Sequence, residues 1–532
     1  MHSRFNLTRT WLALAAMTLV LLAAGRTEAK IDGITGPTFN LTAKAGHILS
    51  PDGASIYFWG FAPESGTVQY PGPTLIVNQG DEVTVNLINQ LPEGVSILFP
   101  GQKVTASGGV PGLTTREAPA DRITRVTYTF TADRPGTYIY QSGSHADLQI
   151  EMGLIGALIV RPTNYQTSAC DASGKTMYTA YGDCSSAFDR EVLFLLSEMD
   201  LNVHDLVESG RLSEVDTARI VPLYWFINGR NGPDTVAPAG ASWLQSQPYN
   251  CLPRIMPGER ILLRFIGGGR DAHPLHTHGN NFDLIAENGQ LLESGAGATR
   301  GAEVGIIPDL AVSDFTRRVL PGQASDAIFT WTGRELGWDM HGHALTDPTT
   351  ITNKDGDPVD TLATEVFAAT TVSADGGTTL TVDNAAGLPT RHPFRALLWS
   401  GGVDYATATT REVVRLQWNG ASFDATRGLE GTTPLADAAG ASFWFTDHGK
   451  KLPVTLPDNK DLFFGQFYSG SPYLGAAGSL PPGEGGFNPN AGFFFMWHSH
   501  NEVELTNNNI FPGGMLSMMV VDPPGTTDIP SP

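Results

Sequence analysis

Two short stretches constrain this chain more than anything else in its 532 residues: His273-Pro-Leu-His276-Thr-His278-Gly279 and Phe493-Phe-Phe-Met-Trp-His498-Ser499-His500. Each places a His-x-His in an apolar, β-prone setting. Side chains at i and i+2 of a strand face the same side. His276 with His278, and His498 with His500, therefore each make a pincer. Two pincers on neighbouring strands can close on a transition metal, since neutral imidazole suits copper and zinc. That arrangement needs a sheet, and the rest of the chain reads as β structure.

The 60 Gly and 36 Pro punctuate the sequence in a way that suits many short strands rather than long helices. At roughly 100–200 residues per domain the length holds two to four domains. Residues 31–162 read as a first β-sandwich, with alternating apolar and polar positions through Pro71–Asn89 and closing strands near Val126, Thr137 and Leu154. A polar connection follows at 163–187. A second sandwich begins at 188, runs to 360 and resumes over 449–525, ahead of a Pro/Gly tail at 526–532. The interruption, 361–448, reads as a small β-rich module with strands near Thr379, Arg395, Glu412 and Ser442. An insertion of that length is usually functional or independently folded. It is the expected route to a homo-oligomer or to a partner protein.

Arg4 and Arg9 precede an apolar run, Trp11 to Ala24, and Thr27-Glu-Ala29 ends in a small residue. Residues 1–29 therefore read as a secretory signal peptide, which predicts a secreted or periplasmic protein. The run is too short for a comfortable membrane span, and no later segment offers a transmembrane helix. In an oxidising compartment Cys170 and Cys184 are placed to pair across a polar loop, leaving Cys251, although sequence alone does not fix the pairing. A formal net charge of −21 argues against nucleic acid or an anionic membrane surface as a partner.

The two histidine motifs resemble the His-Pro-x-His-x-His-Gly and closing His-Cys-His…Gly-Met motifs of the multicopper oxidases, the second one continuing to Gly514-Met515. The resemblance implies an all-β chain of two cupredoxin-like Greek-key β-sandwich domains, with copper as the cofactor. It makes His276, His278, His498, His500 and His273 the candidate metal ligands. By that correspondence His273 matches a ligand of the family's blue copper. The other four match ligands of its three-copper cluster.

The departures matter as much as the match. Where the family writes His-Trp-His-Gly this chain has Leu98-Phe99-Pro100-Gly101, and where it writes Tyr-His-Ser-His this chain has Tyr140-Gln141-Ser142-Gly143. The cysteine of the blue-copper site is Ser499, and its second histidine is Glu504. A hydroxyl is a poor copper ligand, so a blue-copper site is not expected and fewer copper ions than in a full member are. His145, His341 and His343 are the candidate sources of the missing ligands. Met515, Met518 and Met519 carry soft thioethers, but their setting assigns them to the sandwich core.

Three classes of function follow. One is a secreted copper-binding protein with a reduced His cluster, serving copper handling or copper-dependent oxidoreductase chemistry on a small reductant or metal-ion substrate. The second is a true oxidase whose missing ligands come from His145, His341, His343 or a neighbouring subunit. The third is a non-catalytic cupredoxin scaffold that interacts through 361–448. No residue is singled out as catalytic.

Overall fold

The computed structural model describes residues 31–331, 366–446 and 493–521, with breaks at 65, 171–175, 257, 303, 387, 389, 391–393, 403–407 and 430–431, together with short paired segments at 470–471, 478–479 and 487–488. The expected signal peptide, His341 and His343 lie outside the described residues. Among those described, no helix is long and apolar enough to cross a membrane.

The architecture is all-β, as the alternating pattern requires. In the first sandwich one sheet runs Ser55–Pro63, Thr38–Leu49, Glu82–Asn89, Val126–Thr131, Thr105–Gly108. The facing sheet runs Ile34–Thr35, Gly72–Asn78, Ile155–Arg161, Gly136–Ser142, Ile97–Leu98. Thr38–Leu49 lies parallel to Glu82–Asn89, and Gly72–Asn78 lies parallel to Ile155–Arg161. Trp59, Phe61, Val85, Leu87, Tyr128 and Leu158 are among the residues filling the space between the sheets.

The second sandwich repeats the plan. Tyr224–Ile227, Arg190–Met199, Arg260–Gly267, Ala324–Thr330 and Phe282–Glu287 form one sheet. Arg254–Ile255, Leu516–Val521, Phe493–Ser499, His273–Thr277 and Thr316–Val319 form the other. Between the strands of the second sandwich the chain departs into a six-stranded closed barrel, Val366 to Thr446, with its own core of Leu380, Phe394, Leu398, Leu416, Phe423 and Phe443. Two of its strands, Val366–Asp375 and Phe423–Leu429, lie beyond those expected from sequence. Cys170 and Cys184 are joined in a disulfide, and Cys251 is buried as a free thiol.

A third apolar layer, including Ile139, Ile155 and Ala157 against Leu195, Phe226 and Ile266, packs one sandwich on the other. Set in the same region is a polar network whose ionic members, Arg264, Glu191 and Asp326, are fully buried. Arg264 donates from Nε to Glu191 Oε2 at 2.9 Å and from a terminal nitrogen to Thr137 Oγ1 at 2.9 Å. Thr137 and Tyr181 in turn donate to the two oxygens of Asp326, at 2.5 and 2.6 Å. Removing one partner of a buried ion pair strands the other charge in a medium that solvates it poorly. Arg264→Met is expected to cost about 3–5 kcal/mol of stability, read as a lower urea midpoint; an unchanged midpoint would show that the network does not hold the interface.

Candidate metal centre

The geometry of the two histidine motifs follows from strand register. In the second sandwich His273–Thr277 pairs antiparallel with Phe493–Ser499, matching Leu275 to Ser499, His276 to His498 and Thr277 to Trp497. Burial alternates along both strands: Leu275, Thr277, Phe495, Trp497 and Ser499 point into the core, and His276 and His498 point outward. His278 and His500 extend the outward rows in opposite directions. The result brings all four imidazoles to one face. Ring centroids lie 4.7 Å apart for His276 and His278, 5.6 Å for His276 and His498, 5.0 Å for His276 and His500, and 5.2 Å for His278 and His498.

Hydrogen bonds orient two of the rings. His276 Nδ1 lies 2.8 Å from Thr316 Oγ1 on the adjoining strand. His498 Nδ1 lies 2.7 Å from the Ser499 carbonyl, which can only accept, so Nδ1 carries the proton and Nε2 keeps its lone pair. That Nε2 faces His278 Nε2 at 3.2 Å. Two nitrogens bound at about 2.0–2.1 Å to one tetrahedral ion are separated by about 3.3 Å. Burial, reinforced by the three neighbouring imidazoles, pushes the His276 pKa down to about 4, and burial also lowers that of His498. Both are therefore neutral at pH 7 and available as ligands. Among the described residues, however, no group of three or more His, Cys, Asp or Glu side chains is gathered tightly enough for a single ion. The donor type and the 3.2 Å pair fit copper. The full four-ligand set is assembled on a face, not closed on a point.

His273 is not brought to the other four. It stands three residues from His276, an odd number, and its ring turns into the core with no exposure. Nε2 lies 2.8 Å from Glu198 Oε2. Nδ1 lies 3.0 Å from Glu504 Oε2, close enough for charge pairing though off the line of a strong hydrogen bond. Ser499 Oγ donates to the same Glu504 oxygen at 2.6 Å, and Asn501 Nδ2 donates to its Oε1 at 2.9 Å. Burial opposes the charge on His273, but the two carboxylates outweigh it and push its pKa up to about 9. The residues that match blue-copper ligands thus form a buried carboxylate–imidazolium–carboxylate bridge, with Met515 fully buried nearby in sequence. Glu198 was not anticipated; the available signal was a carboxylate closing the apolar run Val192–Ser197.

In the first sandwich, Leu98 pairs directly with Gln141. Phe99 packs on Tyr128, Phe130 and Tyr140, and Ser142 Oγ donates to Gln149 Oε1 at 2.6 Å. The segments that align with the family's first two histidine motifs are thus held by packing and local hydrogen bonds. His145, in a left-handed conformation with φ of 40°, sets Nδ1 3.1 Å from Glu93 Oε2.

Residues 66–165 match the family described as "Multicopper oxidase". Over those residues the chain is similar to a multicopper oxidase domain. The matched segment falls in the first sandwich, the one without the histidine cluster. A stretch of 97 residues is 41% identical to Multicopper oxidase MCE of Talaromyces pinophilus, covering 18% of this chain and 15% of that protein. A longer stretch, 275 residues, is 28% identical to the Copper resistance protein A homolog of Pseudomonas syringae pv. tomato and covers 48% of this chain and 44% of that one. The matches thus span less than half the length of these relatives. Among solved structures, the Blue Copper Oxidase from Nitrosomonas europaea covers 91% of this chain and 85% of its own, at 16% identity and a TM-score of 0.43.

A raised His273 pKa stabilises the fold fully below the unfolded value of 6.5, and that contribution is lost as pH rises through about 9. Glu504→Gln is expected to destabilise the protein by about 3 kcal/mol or more at pH 7 and to flatten this alkaline decline. Urea melts of both proteins from pH 6 to pH 10 test the assignment; parallel curves would refute it.

Proposed function

We propose that this multicopper-oxidase relative is an extracytoplasmic copper-binding protein that holds copper through His276, His278, His498 and His500. Its role on this reading is copper handling, with oxidoreductase chemistry limited to what a reduced imidazole site supports. The observation that carries the proposal is the approach of His278 Nε2 and His498 Nε2 to 3.2 Å from two different strands. The Cys170–Cys184 disulfide supports an oxidising compartment, as does the leader-like sequence at 1–29.

Copper bound there would supply one-electron redox chemistry and a preference for nitrogen and sulfur ligands. The chain's own contribution is to keep His276 and His498 neutral and oriented. Thr316 fixes the His276 ring and the Ser499 carbonyl fixes that of His498, the kind of outer support that tunes metal affinity. The family's thiolate electron entry is not part of the proposal, because Ser499 has no thiol, donates a hydrogen bond to Glu504 and has no exposure. Nor is four-electron reduction of dioxygen, since Leu98, Pro100, Gln141 and Gly143 supply no imidazole.

Metal analysis and EPR on copper-loaded, dialysed protein test this reading. Wild type is expected to retain about one copper with nitrogen-coupled features, and His276→Ala/His498→Ala to lose it. Two metal-free proteins would end the proposal. Because the lowered His276 pKa keeps that ring neutral until acid pH, copper should stay bound at pH 7 and leave as pH falls toward about 4. A further expectation is the absence of stoichiometric oxygen uptake with a phenolic reductant, measured with an oxygen electrode.

A further inference from the structure

The strand carrying His498 and His500 has a second neighbour, Leu516–Val521. That pairing matches His498 to Leu516, Trp497 to Ser517 and Met496 to Met518. Period-two alternation separates the methionines that sequence had grouped together. Met515 and Met519 are fully buried in the sandwich core. Met518 stands one residue from Met519 and so faces the other way, with Leu516 and Val520, all three half-buried. Met496 is 38% exposed and shares that outward face. Two thioethers are therefore directly opposed across adjacent strands, one step along from the His498 row. Directly opposed residues on one face have Cβ atoms about 4.5–5.5 Å apart, within reach of a common ion for side chains as long and flexible as methionine.

His278 lies at the same end of the cluster. Its carbonyl accepts from Trp497 Nε1 at 2.9 Å, which sets residue 278 beside the strand at the position adjoining Met496. Its Nε2 is turned toward His498. Thioethers are soft, neutral donors; they bind Cu(I) and discriminate against Cu(II) and against hard cations. Imidazoles accept both copper states. The outward face thus grades from nitrogen donors to sulfur donors over a single step of register.

We infer that Met496 and Met518, with His278 at the edge of the imidazole cluster, form a binding position for Cu(I). The inference rests on the cluster reading only for its third ligand. The thioether pair itself follows from strand register.

The test is an anaerobic competition of the full chain with bicinchoninate for Cu(I), alongside Cu(II) EPR, on wild type, Met496→Leu/Met518→Leu and His276→Ala/His498→Ala. Leucine keeps the apolar bulk, so a fold defect is separated from a ligand defect by an unchanged thermal melt. The methionine variant is expected to lose tenfold or more in Cu(I) affinity and the sulfur scattering at the copper X-ray absorption edge, while keeping the Cu(II) signal. Cu(I) affinity within twofold of wild type in that variant would overturn the inference, as would a wild-type protein that takes up no Cu(I). Methionine-dependent Cu(I) binding in a wild type that holds no Cu(II) would uphold it while removing the imidazole site proposed above.

Discussion

The register that sets His276 against His498 is the constraint on which the functional part of this molecule depends. A slip of one residue would exchange the two faces of the Phe493–Ser499 strand, sending imidazoles into the core and Trp497 into solvent. Trp497 resists that exchange. It is fully buried, packs on Phe194 and Phe329 at ring-centroid distances of 5.9 and 5.0 Å, and ties its indole N–H to the His278 carbonyl. The apolar anchor on one face therefore positions the donors on the other.

The same sheet keeps two kinds of chemistry apart. Its outer face offers imidazoles and thioethers. Its inner face carries the Glu198–His273–Glu504 bridge, with Ser499 and Asn501 satisfying Glu504. A buried charge of this kind is tolerated only when its partners are also present. Glu504 and Ser499 therefore make sense as a set: the carboxylate neutralises His273, and the hydroxyl occupies a lone pair of that carboxylate. In the first sandwich the four histidine positions hold Leu98, Pro100, Gln141 and Gly143, none of which carries a charge or an imidazole.

Much of this was legible in the sequence because strand alternation is a local property. The pairs 276/278 and 498/500 declare their shared faces from spacing alone, and parity also sends His273 the other way, although its motif groups it with the rest. Met518 and Met519 are separated by the same rule. What spacing does not reveal is pairing between strands distant in the chain. Glu198 meets His273 across 75 residues and Met496 meets Met518 by register, and neither follows from any local pattern. The barrel was legible as an inserted β unit, but Val366–Asp375, rich in Ala and Thr, gave little apolar alternation to read.

The barrel's position bears on how the chain assembles. His278 and His498 are separated by 220 residues, and contacts of that span make folding slow because the entropy of closing the loop is paid before the contact rewards it. The barrel shortens that journey. Val366 pairs with Thr446, so its entry and exit stand side by side. Once folded it behaves as a narrow stem, and the loop left to close is only the remainder. Loop-closure entropy depends on that remaining length rather than on the number of residues inserted. An element carried between the two halves of the copper-facing sheet can thus grow or be exchanged at little entropic cost to their meeting, provided it folds early and keeps its ends together.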